Sequence, residues 1–306
     1  MFKKILYPTS FGKFHREVLG CITNLKSVGT EEIVLLHVIY ASEFSHFQEG
    51  YLQKTGDILR RLLQDKMEEA AQIVKNAGIR PTLRIEIGEP HMEILKVAKE
   101  KEVSLIVCGR ERKAILDEIF VGSITDRVIR YGTTPVYIPK CPDIYGADTQ
   151  AAGAYCRAPF RRILYPTDWS DCAKDALEYL KGMKKAGIEE IVVAHVMDEK
   201  AMKLQPQDKF REFEKIDRDK LQAVKEELEK EGFKVKILLQ VGNPRAELIT
   251  IARQEDVSLI VMGSHGKGRM GGILWGSASR NTAEYSERPI ILIKGRACIS
   301  EIENND

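Results

Sequence analysis

Gly263, Gly266, Gly276 and Ser277 stand in a G-x-x-G-(nine residues)-G-S spacing that opens directly after an apolar run at 259–262. That combination suits one kind of chemistry, the holding of phosphate oxygens. Glycines let backbone amides approach an anion closely and adopt positive φ where a turn needs it. Gly276 and Ser277 then open a helix whose free amides and dipole favour negative charge, and the Ser277 hydroxyl adds a donor. His265 lies inside the same loop, but a single histidine without a partnered nucleophile makes no acid–base pair. Lys267, Arg269 and Arg280 are further cations, each read first as a solvated surface group. Two other phosphate motifs are set aside. Gly266, Gly268 and Gly271 match G-x-G-x-x-G, yet they follow a fourth strand rather than opening a first βαβ unit, and Ile291 stands where an acid belongs. The pattern G-x-x-x-x-G-K-S/T occurs nowhere, so P-loop hydrolysis is not indicated.

The loop has a degraded twin. Ile5-Leu6-Tyr7-Pro8-Thr9 returns as Ile163-Leu164-Tyr165-Pro166-Thr167, and His37-Val38 returns as His195-Val196 at the same offset. Val103-Ser104-Leu105-Ile106-Val107 returns as Val257-Ser258-Leu259-Ile260-Val261, and Gly122-Ser123 as Gly276-Ser277, at an offset four residues shorter. Matches in order and register mark a duplication. In the first copy Arg112 replaces the second glycine, Glu111 brings an acid beside it, and Ser10 stands where the second copy has Asp168. The first copy is therefore expected to be mainly structural, with at most a weaker anion site at Gly122-Ser123.

The elements that must position these residues follow from the apolar patterning of the second copy. Residues 162–166, 191–196, 235–241, 259–262 and 289–293 read as short strands without polar alternation, as expected of strands covered on both faces. Helices are expected from Ser170 or Asp171 to Gly187, over 219–231, over 244–255 with Asn243 as cap and Pro244 first, and after Gly276. The order β-α-β-α-β-α-β-α-β implies a parallel sheet. Ligands of such sheets bind beyond the carboxyl ends of the strands, here at Pro166-Thr167-Asp168 and Met262-Gly263.

With that order on hand, the glycine spacing, the Tyr-Pro-Thr-Asp run and the His-Val pair resemble the universal stress protein family in its nucleotide-binding branch. The resemblance covers both copies. It implies two tandem doubly wound α/β domains, Rossmann-like and of the adenine nucleotide alpha hydrolase type, each with five parallel strands in the order 3-2-1-4-5. Their extents are expected to be 1–140 and 161–296, with a linker at 141–160 and a tail at 297–306. Carried over by position, Pro166 and Asp168 would lie by the ribose and adenine, and Val196 would offer backbone contacts to the base. Met262 and Gly263 would line the ligand, Gly266, Gly276, Ser277 and Ala278 would hold its phosphates, and Thr167 and His265 complete the set. The ligand implied is ATP or AMP, with Mg²⁺ accompanying ATP, in a stress-response or signalling module. The alternative is a slow ATPase or phosphotransferase using Asp168 with a divalent metal. The same resemblance implies pairing of the last strands of the two copies, so that the chain is a pseudo-dimer, further association into a homodimer, and an unknown protein partner.

Composition narrows the rest. The chain has 306 residues, 43% hydrophobic and 30% charged, with 47 Lys and Arg against 45 Asp and Glu. This is an ordinary globular profile with no bulk electrostatic pull toward nucleic acid or a membrane surface. No apolar run reaches the roughly 18 residues needed to span a bilayer, and the N-terminus lacks a signal-peptide pattern, so a cytoplasmic location is expected. The six cysteines form no C-x-x-C pair and are read as free, small apolar residues. His37 and His195 are read as structural histidines bonded to backbone, Trp275 as packing, and the Lys/Glu-rich stretch 209–231 as a solvated helix face.

Overall fold

The computed structural model describes residues 2–11, 15–40, 49–109, 111–113, 118–140, 158–203, 205–266 and 275–295. The chain folds as two compact units, Met1–Arg112 with Val121–Arg157, and Ala158–Asp306 with Lys113–Phe120. The first unit runs β1 (Lys4–Pro8), α1 (His15–Thr23), β2 (Glu32–Tyr40), α2 (Glu49–Asn76), β3 (Arg80–Gly88), α3 (Pro90–Glu100) and β4 (Leu105–Val107). Two short strands follow in the chain, β5 (Glu111–Lys113) and β6 (Glu118–Phe120), the latter belonging to the second unit, and the first unit then ends with α4 (Ser123–Tyr131) and β7 (Val136–Ile138). The second unit runs β8 (Arg162–Pro166), α5 (Asp171–Lys181), β9 (Glu190–Asp198), α6 (Glu199–Lys203), α7 (Gln207–Lys230) and β10 (Val235–Gly242). It ends with α8 (Pro244–Gln254), β11 (Leu259–Gly263), α9 (Ser277–Tyr285) and β12 (Ile290–Ile293).

Within the first unit the strands lie in the order β3-β2-β1-β4-β7, and within the second in the order β10-β9-β8-β11-β12. Every pairing within these two five-strand orders is parallel. Both are the 3-2-1-4-5 order expected for a doubly wound sheet. Its origin is visible in the side chains. Ile163, Leu164, Ile191, Val192, Val193, Leu259, Ile260, Val261, Ile290 and Ile291 are fully buried, because helices cover both faces and leave no solvent side to alternate toward. α5 places Cys172, Ala173, Ala176, Leu177 and Leu180 inward. Its cap is Ser170, whose hydroxyl accepts from Ala173 N at 3.2 Å. Asn243 caps α8 by accepting from Arg245 N at 3.1 Å, with Pro244 in the first turn.

Two elements differ from expectation. α7 begins at Gln207, well before 219, and α6 precedes it unannounced. The early half of α7 is dominated by charge, so its Phe210, Phe213 and Ile216 do not stand out as an apolar stripe, yet the three-residue spacing places them along one side. Among the cysteines, Cys108 and Cys172 are buried thiols outside any disulfide, as expected, whereas Cys21 is disulfide-bonded, which no sequence spacing signals.

Matching carboxylates sit at the starts of β2 and β9. Glu32 takes the Thr82 hydroxyl at 2.7 Å and is paired with Arg80. Glu190 pairs with Arg162 at 2.7 Å and Lys234 at 3.0 Å. Burial works against charge on both groups. The Thr82 hydroxyl and Arg80 for Glu32, and Lys234 and Arg162 for Glu190, outweigh it and hold both carboxyls below their ordinary value of 4.5.

Candidate functional site

β8 stops early, and that creates the site. Its ladder with β9 ends at Pro166 opposite Ala194, with a last bond from Thr167 N to Ala194 O at 2.9 Å. On the other side, Ile191 N takes Lys234 O from the β10 edge. Peptide groups alternate sides along a strand, so Ala194 and Val196 turn theirs toward β8. At Val196 β8 is no longer there. Thr167 O, the next acceptor on that edge, is taken by His195 Nδ1 at 2.7 Å. Among the described residues no backbone group meets the Val196 N–H and C=O, which leaves one donor and one acceptor side by side at the strand end.

The turn after β8 is tight and tied to its own side chains. The Thr167 hydroxyl accepts from Trp169 N at 3.1 Å, and Asp168 Oδ1 accepts from Ser170 N at 3.1 Å. Trp169 is held at φ 65°, a backbone state rare for a bulky residue and costing on the order of 1–3 kcal/mol. The first unit repeats the device, with Phe11 at φ 53° bonded from N to the Thr9 hydroxyl at 3.0 Å. Trp169 also meets α7. Its Nε1 donates to Asp217 Oδ1 at 2.9 Å, and the Asp217 Oδ2 lies 3.3 Å from His195 Nε2. The Trp169 and His195 rings are 5.0 Å apart, and Lys220 Nζ lies 5.4 Å from the indole centroid. Asp217 thus fastens α7 to the turn and to β9.

β11 brings the second half of the site. A Cβ on Gly263 would fall 2.8 to 2.9 Å from the backbone and Cβ of Cys172, so only glycine lets β11 pass α5 at this distance. A Cβ on Gly266 would fall 2.4 Å from Asp168 Oδ2. The chain thus runs directly against the aspartate that ends the turn. Gly276 N donates to Ser264 O at 2.9 Å, and the Ser279 hydroxyl donates to the same oxygen at 2.7 Å. These bonds aim the start of α9 at the end of β11. His265 is buried, with Nδ1 at 2.8 Å from the Ser264 hydroxyl.

A cavity of about 1010 Å³ opens between these parts. Asp168, Val196, His265, Gly266, Gly276, Ser277 and Ala278 all line it. Pro166, Thr167, Met262 and Gly263 line an adjoining hollow of about 100 Å³ that shares Asp168, Val196, His265 and Gly266 with it. The structure therefore gathers all eleven residues singled out from the sequence at one strand end. Lys267 and Arg269 lie outside the described residues. Arg280 lines the cavity, lies 5.8 Å from the Trp275 ring and pairs with Glu284 at 3.3 Å. Trp275 is buried, as packing requires, yet its Nε1 is a buried donor without an acceptor among the described residues. Missed from the sequence were Asp217 and the apolar wall from α6 and α7, where Ala201, Met202, Phe213 and Ile216 line the cavity. Only the 3-residue spacing of aromatics within a charged stretch hinted at it. His37 and His195 both bond backbone carbonyls, as read. Among the described residues no cluster of acids, histidines and cysteines has the makings of a metal site.

The universal stress protein family model matches residues 1–140 and again 159–294. The chain belongs to the universal stress protein family. It carries that family's domain twice in tandem. A universal stress protein of Methanocaldococcus jannaschii is 36% identical over 154 residues, covering 44% of this chain and 95% of its own. One from Mycolicibacterium smegmatis is 22% identical over 270 residues, covering 86% and 87% of the two chains. The crystal structure of a universal stress protein from Archaeoglobus fulgidus superposes with a TM-score of 0.71 at 26% identity, covering 96% of this chain and 97% of that one. Both copies are thus members of one family with the doubly wound fold. Among the described residues no helix is long and apolar enough to cross a membrane.

Proposed function

We propose that the second unit binds an adenine nucleotide, ATP or AMP, and that the protein acts as a nucleotide-dependent stress-response module. One observation carries this reading. A single cavity of about 1010 Å³ receives both the peptide edge of Val196, met by no backbone group among the described residues, and the start of α9 at Gly276-Ser277. The first offers an adjacent donor and acceptor, which suits the adenine edge with its own adjacent acceptor and amine. The second offers helix amides to an anion. Asp168 stands between them, suited to accept from ribose hydroxyls, and with ATP it would be the carboxylate to hold an accompanying Mg²⁺. The buried Trp275 Nε1 next to Gly276, which has no acceptor among the described residues, is in keeping with a wall that a ligand oxygen completes. Protein partners and homodimer formation belong to the same proposal, since a module of this kind acts by changing what it contacts.

Titration calorimetry with ATP and with AMP tests it. The intact chain is expected to bind one equivalent at the second unit, and Gly266→Arg, which copies the residue at position 112, is expected to abolish that binding with the unfolding transition retained. Affinity unchanged in Gly266→Arg would refute the assigned cradle.

A further inference from the structure

We propose that α6 and the first half of α7 form a lid over the second unit's cavity, and that Asp217 is its latch. What the lid closes on is the nucleotide proposed above, so its closure rests on that reading, whereas the opening of the half-helix does not.

α7 is a single helix with two regimes of burial. Its 24 residues make about 36 Å of helix. Its buried side chains, Leu221 and Leu228, both stand in the second half. From Gln207 to Lys220 no residue is buried, and α6 has none either. Helices in proteins are held mainly by packing an apolar face, not by propensity. The first half has such a face in Phe210, Phe213 and Ile216, yet does not bring it to the core. Phe213 is half-buried and Ile216 is 40% exposed, and both line the cavity beside Ala201 and Met202 of α6. The helix also starts without a side-chain cap, since Pro206 offers none to the first amides.

Few ties hold this half in place. The pairs Lys209–Glu212 and Arg218–Glu214 run along the helix itself and fasten it to nothing else. Among the described residues its polar tie to the rest of the unit is Asp217, which accepts from Trp169 Nε1 and faces His195 Nε2, with Lys220 over the same indole. Segments with so few buried contacts open locally, ahead of the whole domain. The latch is placed to sense a ligand. Trp169 follows Asp168, and His195 precedes Val196, the two residues proposed to meet ribose and base. A ligand that fixes Asp168 and Val196 therefore steadies the seat of Asp217. By filling the cavity it also gives Phe213 and Ile216 the apolar contact that the sheet does not. Both effects favour the closed half-helix over the open one, which is the differential binding a lid requires.

Hydrogen exchange of the full chain, read by mass spectrometry, tests this. Without nucleotide, the amides of 207–216 are expected to exchange at least about tenfold faster than those of 221–230. Their rate is also expected to respond less steeply to urea below the unfolding transition, because opening half a helix exposes little surface. Asp217→Ala is expected to speed exchange at 207–216 at least about tenfold further. Asp217→Asn, which keeps an acceptor for Trp169 Nε1 and loses the charge facing His195, is expected to speed it less. Saturating ATP is expected to slow 207–216 at least about tenfold in the parent and not in Gly266→Arg. Equal exchange and equal urea response along the whole of α7, no effect of Asp217→Ala at 207–216, or bound ATP that leaves 207–216 unprotected would each overturn the lid. Should the parent bind no ATP while the half-helix still opens first and Asp217→Ala still speeds it, the nucleotide proposal fails and the latched half-helix stands.

Discussion

Replacing Gly266 by alanine adds a single methyl group, and its effect can be worked from one distance. The new Cβ would fall 2.4 Å from Asp168 Oδ2, well inside any tolerated contact. What must yield is the end of a side chain, not a backbone, so the fold absorbs the change by turning the Asp168 carboxylate away. A hydrogen bond to a charged group contributes roughly 1.5–3 kcal/mol, which is about 10- to 150-fold in affinity when the bond to a ribose hydroxyl is lost. ATP affinity measured by calorimetry should drop by that factor, while the thermal transition of the unbound protein stays within about 2–4 °C of the parent. Asp168→Ala should produce a drop of similar size, and the double variant little more than either alone, because the two act through one group. Full additivity of the two losses, or unchanged affinity in Gly266→Ala, would refute the coupling of loop and aspartate.

The neighbouring glycine should behave in the opposite way. Gly263→Ala drives a Cβ against the Cys172 backbone and is expected to destabilise the second unit by about 1–3 kcal/mol in urea unfolding, where Gly266→Ala does not; equal stability of the two variants would contradict the packing described. Asp217→Ala strips the acceptor from Trp169 Nε1 and the partner from His195, and should lower stability by about 1–3 kcal/mol and shift the tryptophan emission, with an unmoved spectrum arguing against the fastening of α7. Glu190 has its folded carboxyl held below 4.5, so its contribution is present above that value and is lost as pH falls through the lowered one. Glu190→Gln should therefore cost more stability at pH 7 than at pH 3, flattening the acid limb of the urea midpoint; a loss of equal size at both pH values would contradict that sign.

The fold was legible because duplication and buried strands leave marks that burial itself requires. Ile191 to Ala194 carry no polar alternation since nothing on either face is wet, and Ile5 to Thr9 return unchanged at 163–167. The cradle was legible for a related reason. Gly263 and Gly266 stand where the structure has no room for a Cβ, so the sequence has to declare them. Asp217 gave no such sign. It is one acid among many in a helix whose partners, Trp169 and His195, lie far away in the chain and come close only through the β8–β9 register. Nor could the peptide edge of Val196 be read from residue types, because it depends on where β8 stops rather than on what Val196 is. The first unit shows the converse. Arg112, Glu111 and Ser10 depart from the second copy's loop in residue type, but those departures say nothing about the hollow at Pro8, Thr9, Val38 and Gly109 that the topology still forms.

A crystal structure of the full chain grown with ATP tests the central claim most directly. The account predicts density at the carboxyl ends of β8 and β11, with the base against the Val196 peptide and the phosphates at the amides of Gly276 and Ser277. An empty cavity at saturating ATP, or nucleotide bound anywhere else, would contradict it.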